Sequence, residues 1–561
     1  MALPVSDRSR FAGLTTMDEL PAAQPESDAL GELQYEIESF VAVLDHPLLW
    51  EDDIELFDLT TADWRLVVEY SKLVFEAWDS ERSLVRRVEG IESREPGRMQ
   101  VAVRRQGGRS PSRLEFRERD WVRDDGRLRA PVDRRQFGRD FVQMLEAEFP
   151  GWRPERVSQR SDREHSFSAW YTRGCARQGT TAWAFLGLAE GEALGAADSM
   201  LAFGLIWLDW LRARSDRLMI QGLKLFLPHD AVEATAHRAA YLDPHAVNVE
   251  IFEWNPNRRD LSGDTIQASQ VRRIDLKDYG NVETRLVPHR QREMVAGRHR
   301  DLVQNLLGDL APHVDVVADA AATFLSLRVL GLEVARIEGE TLPRVYAGLE
   351  GVPGDRRKLE PEDWPEFHDY LARVVRIRRA GSADPNHDFY RLQGERWLES
   401  LLVRDLTRID PAFSPECVYP QVPAFSGPSS YAMHRGVIDI LGVLRSDPAG
   451  TSNRLAVVEL KLYEEINLPL QGLDYWLRVK WLHERGQFKQ FGYFPGIELA
   501  AEPPLVYLVS PAFRFHSTTH RMMRYLSPEV EVVQVGINNQ WRRGVKVLFR
   551  RVLKGRSETA V

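Results

Sequence analysis

The stretch HRGVIDILGVLRSDPAGTSNRLAVVELKL, His434–Leu462, decides how this chain is read. It holds two apolar segments, VIDILGV and AVVELKL, joined by a loop of Ser, Asp, Pro, Gly, Thr and Asn, a pattern that predicts two paired strands. Each segment carries charge where a buried strand should carry none: Asp439 in the first, Glu459 and Lys461 in the second. Residues i and i+2 of a strand share a face, so Glu459 and Lys461 point one way while Val458 and Leu460 pack behind. Antiparallel pairing brings Asp439 near Glu459. Two neighbouring carboxylates repel, and each is costly to desolvate unless a cation lies between them. Oxygen donors without Cys or clustered His suit a hard divalent ion, Mg2+ or Mn2+. A lysine beside the pair offsets charge and can orient a water, as phosphodiester hydrolysis requires.

The flanking helices extend the set. In GERWLESLLVRDL, Glu395 and Glu399 lie one turn apart on the face of Leu398 and Leu402, so either can supply a third carboxylate. In QGLDY, Gln471 and Tyr475 are spaced i, i+4 and project together.

An acidic helix, an Asp strand, an ExK strand and a helix with QxxxY, in that order, resemble the PD-(D/E)XK nuclease superfamily in its QxxxY-bearing branch. The resemblance covers about Gln393–Asn539, roughly a quarter of the chain. It implies a restriction-endonuclease-like fold, a four-stranded mixed core sheet flanked by helices, and a metal-dependent DNase. Its catalytic set would be Asp439, Glu459, Lys461, Glu399 or Glu395, Gln471 and Tyr475. Asp439, Glu459 and Glu399 would hold Mg2+ or Mn2+, Lys461 would position the water, and Gln471 and Tyr475 would support the site or touch DNA. The family's proline before the Asp is missing; Ile438 stands there. DNA as partner, and repair, restriction or phage defence as setting, follow from the resemblance alone. A nuclease fold that binds nucleic acid without cutting it is the alternative.

The last block, residues 386–561, reads strand–helix–strand–helix–strand: AVVELKL, LPLQGLDYWLRVKWLHERG, PLVYLVSP, STTHRMMRYLS, VEVVQVGINN. Residues 134–260 echo it: TAWAFLGLA, AADSMLAFGLIWLDWLRARS, LMIQGLKLFLP, DAVEATAHRAAYLD, VNVEIFEWN. A strand ending in Pro, a helix and then Tyr-Leu recur in both, and each block follows an acidic amphipathic helix. The middle block therefore reads either as a degenerate copy of the last, with Phe185 and Gly187 where the last block has Glu459 and Lys461, or as a separate α/β domain, since any α/β domain gives such a string.

The remaining regions are an expected disordered tail at 1–33, an N-terminal α+β region at 34–133 and a helical and mixed connector at 261–385. TADWRLVVEYSKLVFEAW, Thr61–Trp78, reads as a helix, and SLVRRVEGIESREPGRMQVAVRRQGGRSPSRLEFRERDWVR after it as an antiparallel sheet. Residues Glu293–Leu327 read as helical, and LEVARIEG and RVYAGLEG as a strand pair. RVVRIRRA, and the tail NNQWRRGVKVLFRRVLKGR as an edge strand or phosphate-binding segment, are the basic candidates; His434 and Arg435 are another phosphate-binding pair.

Net charge of −9 confines any polyanion site to a local patch. Two distant cysteines, Cys175 and Cys417, exclude a Cys-rich zinc site. The helix ADSMLAFGLIWLDWL is too short to span a bilayer and is interrupted by Asp209; with no apolar leader, a cytoplasmic location is expected. No Walker lysine and no Gly-x-Ser-x-Gly elbow occur. Assembly as a homodimer is compatible with this reading.

Overall fold

The computed structural model describes residues 30–560 apart from short breaks and the stretches 106–110, 119–133, 255–270, 350–356, 427–436 and 446–452. The expected tail, the loop joining the two key strands, and His434 and Arg435 lie largely or wholly outside the described residues. The chain is of mixed α/β class and divides into two compact units, residues 1–79 with 84–121, and residues 80–83 with 122–561.

The first unit is a seven-stranded sheet in the order β2-β1-β7-β6-β5-β4-β3, formed by β1 (Pro47–Glu51), β2 (Ile54–Asp58), β3 (Asp63–Glu69), β4 (Lys72–Trp78), β5 (Ser83–Glu95), β6 (Arg98–Arg105) and β7 (Pro111–Glu118). Its Arg-rich strands are borne out. The helix expected over Thr61–Trp78 is instead the antiparallel pair β3/β4, with Glu69 opposite Lys72. The alternation Leu73, Phe75, Ala77 buries one face of β4 completely, and β-branched Val74 favours the pleat.

In the second unit, the middle block comprises α1 (Arg134–Glu148), β8 (Arg153–Ser158), β9 (Tyr171–Gln178), β10 (Thr181–Leu188), α2 (Leu194–Arg214), β11 (Met219–Leu227), α3 (His229–Ala239), β12 (Val249–Trp254) and β13 (Val271–Arg273). Its sheet order is β13-β12-β11-β10-β9-β8, with β10, β11 and β12 parallel and β9 and β13 antiparallel to their neighbours.

The connector adds β14 (Thr284–Leu286), α4 (His289–Ala296), α5 (Arg300–Leu307), a five-stranded antiparallel sheet, β15 (Asp315–Ala318), β16 (Phe324–Val329), β17 (Leu332–Glu338), β18 (Arg344–Ala347) and β19 (Arg357–Leu359), and α6 (Trp364–Ile377). The helical expectation over Glu293–Leu327 therefore holds only to about His313; DVV and FLSL beyond it are strands whose β-branched and alternating apolar residues join this sheet.

The last block comprises α7 (Gly394–Arg404), β20 (Phe413–Ser426), β21 (Val437–Arg445), β22 (Asn453–Leu460), α8 (Leu468–Glu484), β23 (Leu505–Pro511), α9 (Thr519–Met523), β24 (Glu531–Ile537), β25 (Val547–Lys554) and β26 (Ser557–Ala560). Its sheet runs β14-β20-β21-β22-β23-β24-β25-β26, with β22, β23 and β24 parallel and β21 and β25 antiparallel to their neighbours. The basic tail strand β25 is not an edge; β26 covers its outer side. From β8 to β13 and from β20 to β25, strand order, directions and interleaved helices coincide.

The two blocks of matching topology pack on one another through a local two-fold. Leu242 and Leu526, each following the Tyr of the recurrent Tyr-Leu, form an antiparallel bridge. The Asp243 amide donates to the Tyr525 carbonyl, and the Ser527 amide to that of Tyr241, both at 2.8 Å. Ser199 and Asn467, each five residues before the buried helix glycines Gly204 and Gly472, also meet each other, Asn467 Nδ2 to Ser199 Oγ at 2.6 Å. Matching positions meeting their own counterparts is the signature of an isologous contact.

Candidate active site

β21 and β22 pair with Ile440 opposite Val458, which places Asp439 opposite Glu459 one step further along. The Leu460 amide donates to Asp439 Oδ2 at 3.0 Å and fixes that carboxylate against β22. Lys461 follows, its Nζ 3.4 Å from Glu459 Oε1 and 3.4 Å from Glu395 Oε2. Glu395 also accepts from the Leu462 amide at 3.1 Å. Glu399, one turn along α7, accepts from Gln421 Nε2 at 2.7 Å and lies 3.5 Å from Arg396.

Both helix glutamates, left open as alternatives in the sequence, thus face the strand charges but have different partners. Asp439, Glu459 and Glu399 do not close into a three-acid cage, and among the described residues no three His, Cys, Asp or Glu side chains do. Tyr475 faces Glu459 and Asp439, both of which push its phenol further up after burial has raised it.

Electrostatics follow from gathering four acids, of which Glu459 and Glu399 are buried, around the buried Lys461. Glu459 is 2 % exposed, and burial followed by Asp439 raises its carboxyl well above the ordinary range. Burial likewise pushes the carboxyls of Glu395 and Glu399 up to about 7, with Asp439 adding to each rise and Lys461 or Arg396 opposing it. Burial alone favours a neutral Lys461 amine, but Glu395, Glu459 and Asp439 outweigh it and hold the side chain protonated. Lys461 is therefore a fixed cation, not a base.

The oxygens Glu459 Oε2 and Gln471 Oε1 are buried without a hydrogen-bond partner among the described residues. Orphaned acceptors in an all-oxygen, electron-rich site fit a hard divalent cation.

Two residues that the sequence reading did not single out position this site. Gln421, buried in β20, has left-handed backbone (φ 50°) and sits between Pro420, opposite Ile440, and Val422, opposite Ile438. It therefore stands across from Asp439 while holding Glu399, and backbone strain in a buried polar residue marks a place of constraint. Arg378, in the basic stretch RVVRIRRA, is fully buried, and its guanidinium donates to the carbonyls of Val329, Leu330, Phe389, Leu392 and Gln393. It anchors the turn entering α7 and so aims Glu395 and Glu399; its role is internal, not phosphate binding. Neither residue carries a sequence signal beyond its type.

The sister site in the middle block needs a one-residue correction. A Cβ at Gly472 of α8 would meet Val506 and Leu508, and one at Gly204 of α2 would meet Leu223 and Leu225. Leu508 pairs with Glu459, and Leu225 with Leu186. The counterparts of Glu459 and Lys461 are thus Leu186 and Leu188. Phe185 and Gly187 lie on the opposite face, where Gly187 abuts the Phe141 ring of α1. A one-residue slip exchanges the faces of a strand. By the same register Arg173, opposite Leu186, stands for Asp439, and Phe203 and Trp207 stand for Gln471 and Tyr475. Arg173 is buried over the rings of Phe167 and Trp207, at 4.6 and 5.5 Å.

No protein-family model matches this chain, and no curated protein matches it significantly. Among the described residues no helix is long and apolar enough to cross a membrane.

Proposed function

We propose that the chain is a divalent-cation-dependent deoxyribonuclease of the PD-(D/E)XK type, acting from its C-terminal block. The observation that carries this reading is the convergence of Asp439, Glu459 and Lys461, with the buried Glu459 Oε2 left without a hydrogen-bond partner among the described residues. Asp439 and Glu459, with Glu395 or Glu399 behind them, would hold Mg2+ or Mn2+. Bound there, such an ion polarises a phosphate and makes water more acidic. Lys461, kept protonated by three carboxylates, steadies negative charge developing on the phosphate. Glu395 and Glu399, whose carboxyls burial raises to about 7 in the metal-free site, would be ionised by a cation held beside them. Gln471 and Tyr475 orient the group above the carboxylates. The preference for DNA rests on the family resemblance.

The test is a panel of labelled single-stranded, duplex, flap and junction DNAs, with and without Mn2+, beside Asp439→Ala and Lys461→Ala. Cleavage that EDTA abolishes and both substitutions remove is the expected result. Undiminished cleavage by either variant sinks the assignment, and EDTA-insensitive binding without cleavage points to the non-cutting alternative.

A further inference from the structure

We propose that the chain is a one-chain pseudodimer with a single competent half, and that it severs one strand of a duplex per encounter. This rests on the nuclease reading above. The strands of a duplex are related by two-folds, and symmetric protein pairs present equivalent groups to both. Here the protein two-fold lies within one polypeptide, through Leu242 with Leu526, Ser199 with Asn467, and the reciprocal bonds of Tyr241 and Asp243 with Tyr525 and Ser527.

At the matched positions only the C-terminal half carries acids. Its sister carries Leu186 and Leu188 for Glu459 and Lys461, aromatic rings for Gln471 and Tyr475, and Arg173 for Asp439. A buried guanidinium where the working half holds a carboxylate repels a divalent ion. The seam between the halves buries Leu205, Leu208, Leu473, Trp476, Leu477 and Met522 in one continuous core, pinned by the Arg238–Asp474 ion pair. The surface on which a second chain could repeat this two-fold is thus consumed internally.

Three measurements test it. With supercoiled circular DNA, open circles should accumulate first and linear molecules appear only after a lag, as independent nicks coincide. Light scattering of the active species should give the mass of one chain. Mn2+ binding followed by electron paramagnetic resonance should weaken at least ~10-fold in Glu459→Gln, the scale on which a lost ligand or support affects a metal site. It should leave no second carboxylate-type class, and Arg173→Ala should change nothing. Linear product without a lag, an active species of two chains, or a Mn2+ class that keeps its full affinity in Glu459→Gln overturns the inference while leaving the nuclease reading intact. No cleavage of any DNA overturns the nuclease reading and the strand count with it.

Discussion

Arg238, on the last turns of α3, grips Asp474 of α8 with two bonds, Nε to Oδ1 at 2.8 Å and Nη2 to Oδ2 at 2.6 Å, from within the middle copy to the last one. Its guanidinium also bonds Asp198, and the arginine is 1 % exposed. Asp474 lies between Gln471 and Tyr475 in sequence, so the seam and the candidate site share a helix.

Arg238→Met should therefore cost about 3–5 kcal/mol, the usual penalty for removing one partner of a buried pair. Chemical denaturation followed by tryptophan fluorescence measures it. A loss within error of zero would mean that water already solvates the two aspartates.

Stability should depend on pH in an unusual direction. Glu395 and Glu399 titrate at about 7 in the folded chain, against 4.5 in the unfolded one. Between those values the folded state binds more protons, so their contribution is complete below about 4.5 and is lost as pH rises through about 7. The divalent-free protein should be more stable at pH 5 than at pH 8, by on the order of 1–3 kcal/mol per group, and should melt at a correspondingly higher temperature. Glu395→Gln with Glu399→Gln should flatten that slope; an unchanged slope assigns it to other groups.

Glu459→Gln should abolish cleavage yet raise the melting temperature without divalent ions, because it removes a buried, repelled carboxyl. It should also cancel the stabilisation that Mg2+ gives the parent protein. A fall in melting temperature equal to that of a core defect contradicts this account.

Gln421→Ala should lower kcat by about 10–100-fold, as loss of a supporting contact to a metal-site carboxylate does. KM should change little, since Gln421 touches Glu399 and not DNA. The acidic limb of the pH–rate profile should shift with Glu399; an unshifted profile with lowered stability would make Gln421 merely structural.

Much of this was legible because the chemistry is local. Asp439, Glu459 and Lys461 stood out as charges in apolar strands, and period-two spacing put Glu459 and Lys461 on one face. The repeated Tyr-Leu was visible too, and it proved to be the contact between the halves. Register between the copies was not legible. TAWAFLGLA and AVVELKL align equally well in two phases, and only the packing of Gly204 and Gly472 chooses between them. Thr61–Trp78 misled for a related reason. Its apolar residues satisfy helical spacing and alternation at once, and the partner strand that decides lies elsewhere in the sheet. Gln421 and Arg378 escaped because their roles depend on a positive φ and on carbonyls gathered from distant segments.

The bond from Arg238 to Asp474 also explains how a silent copy is retained. Excising the middle block would strip a guanidinium from Asp474 and bare Leu473, Trp476 and Leu477 to water, on the helix that carries Gln471 and Tyr475. On the proposed reading, the half that carries the acids depends on that brace, so its partner need keep no chemistry yet cannot be deleted. The silent half persists as an entrenched dependency, and the C-terminal block is not a transplantable cassette.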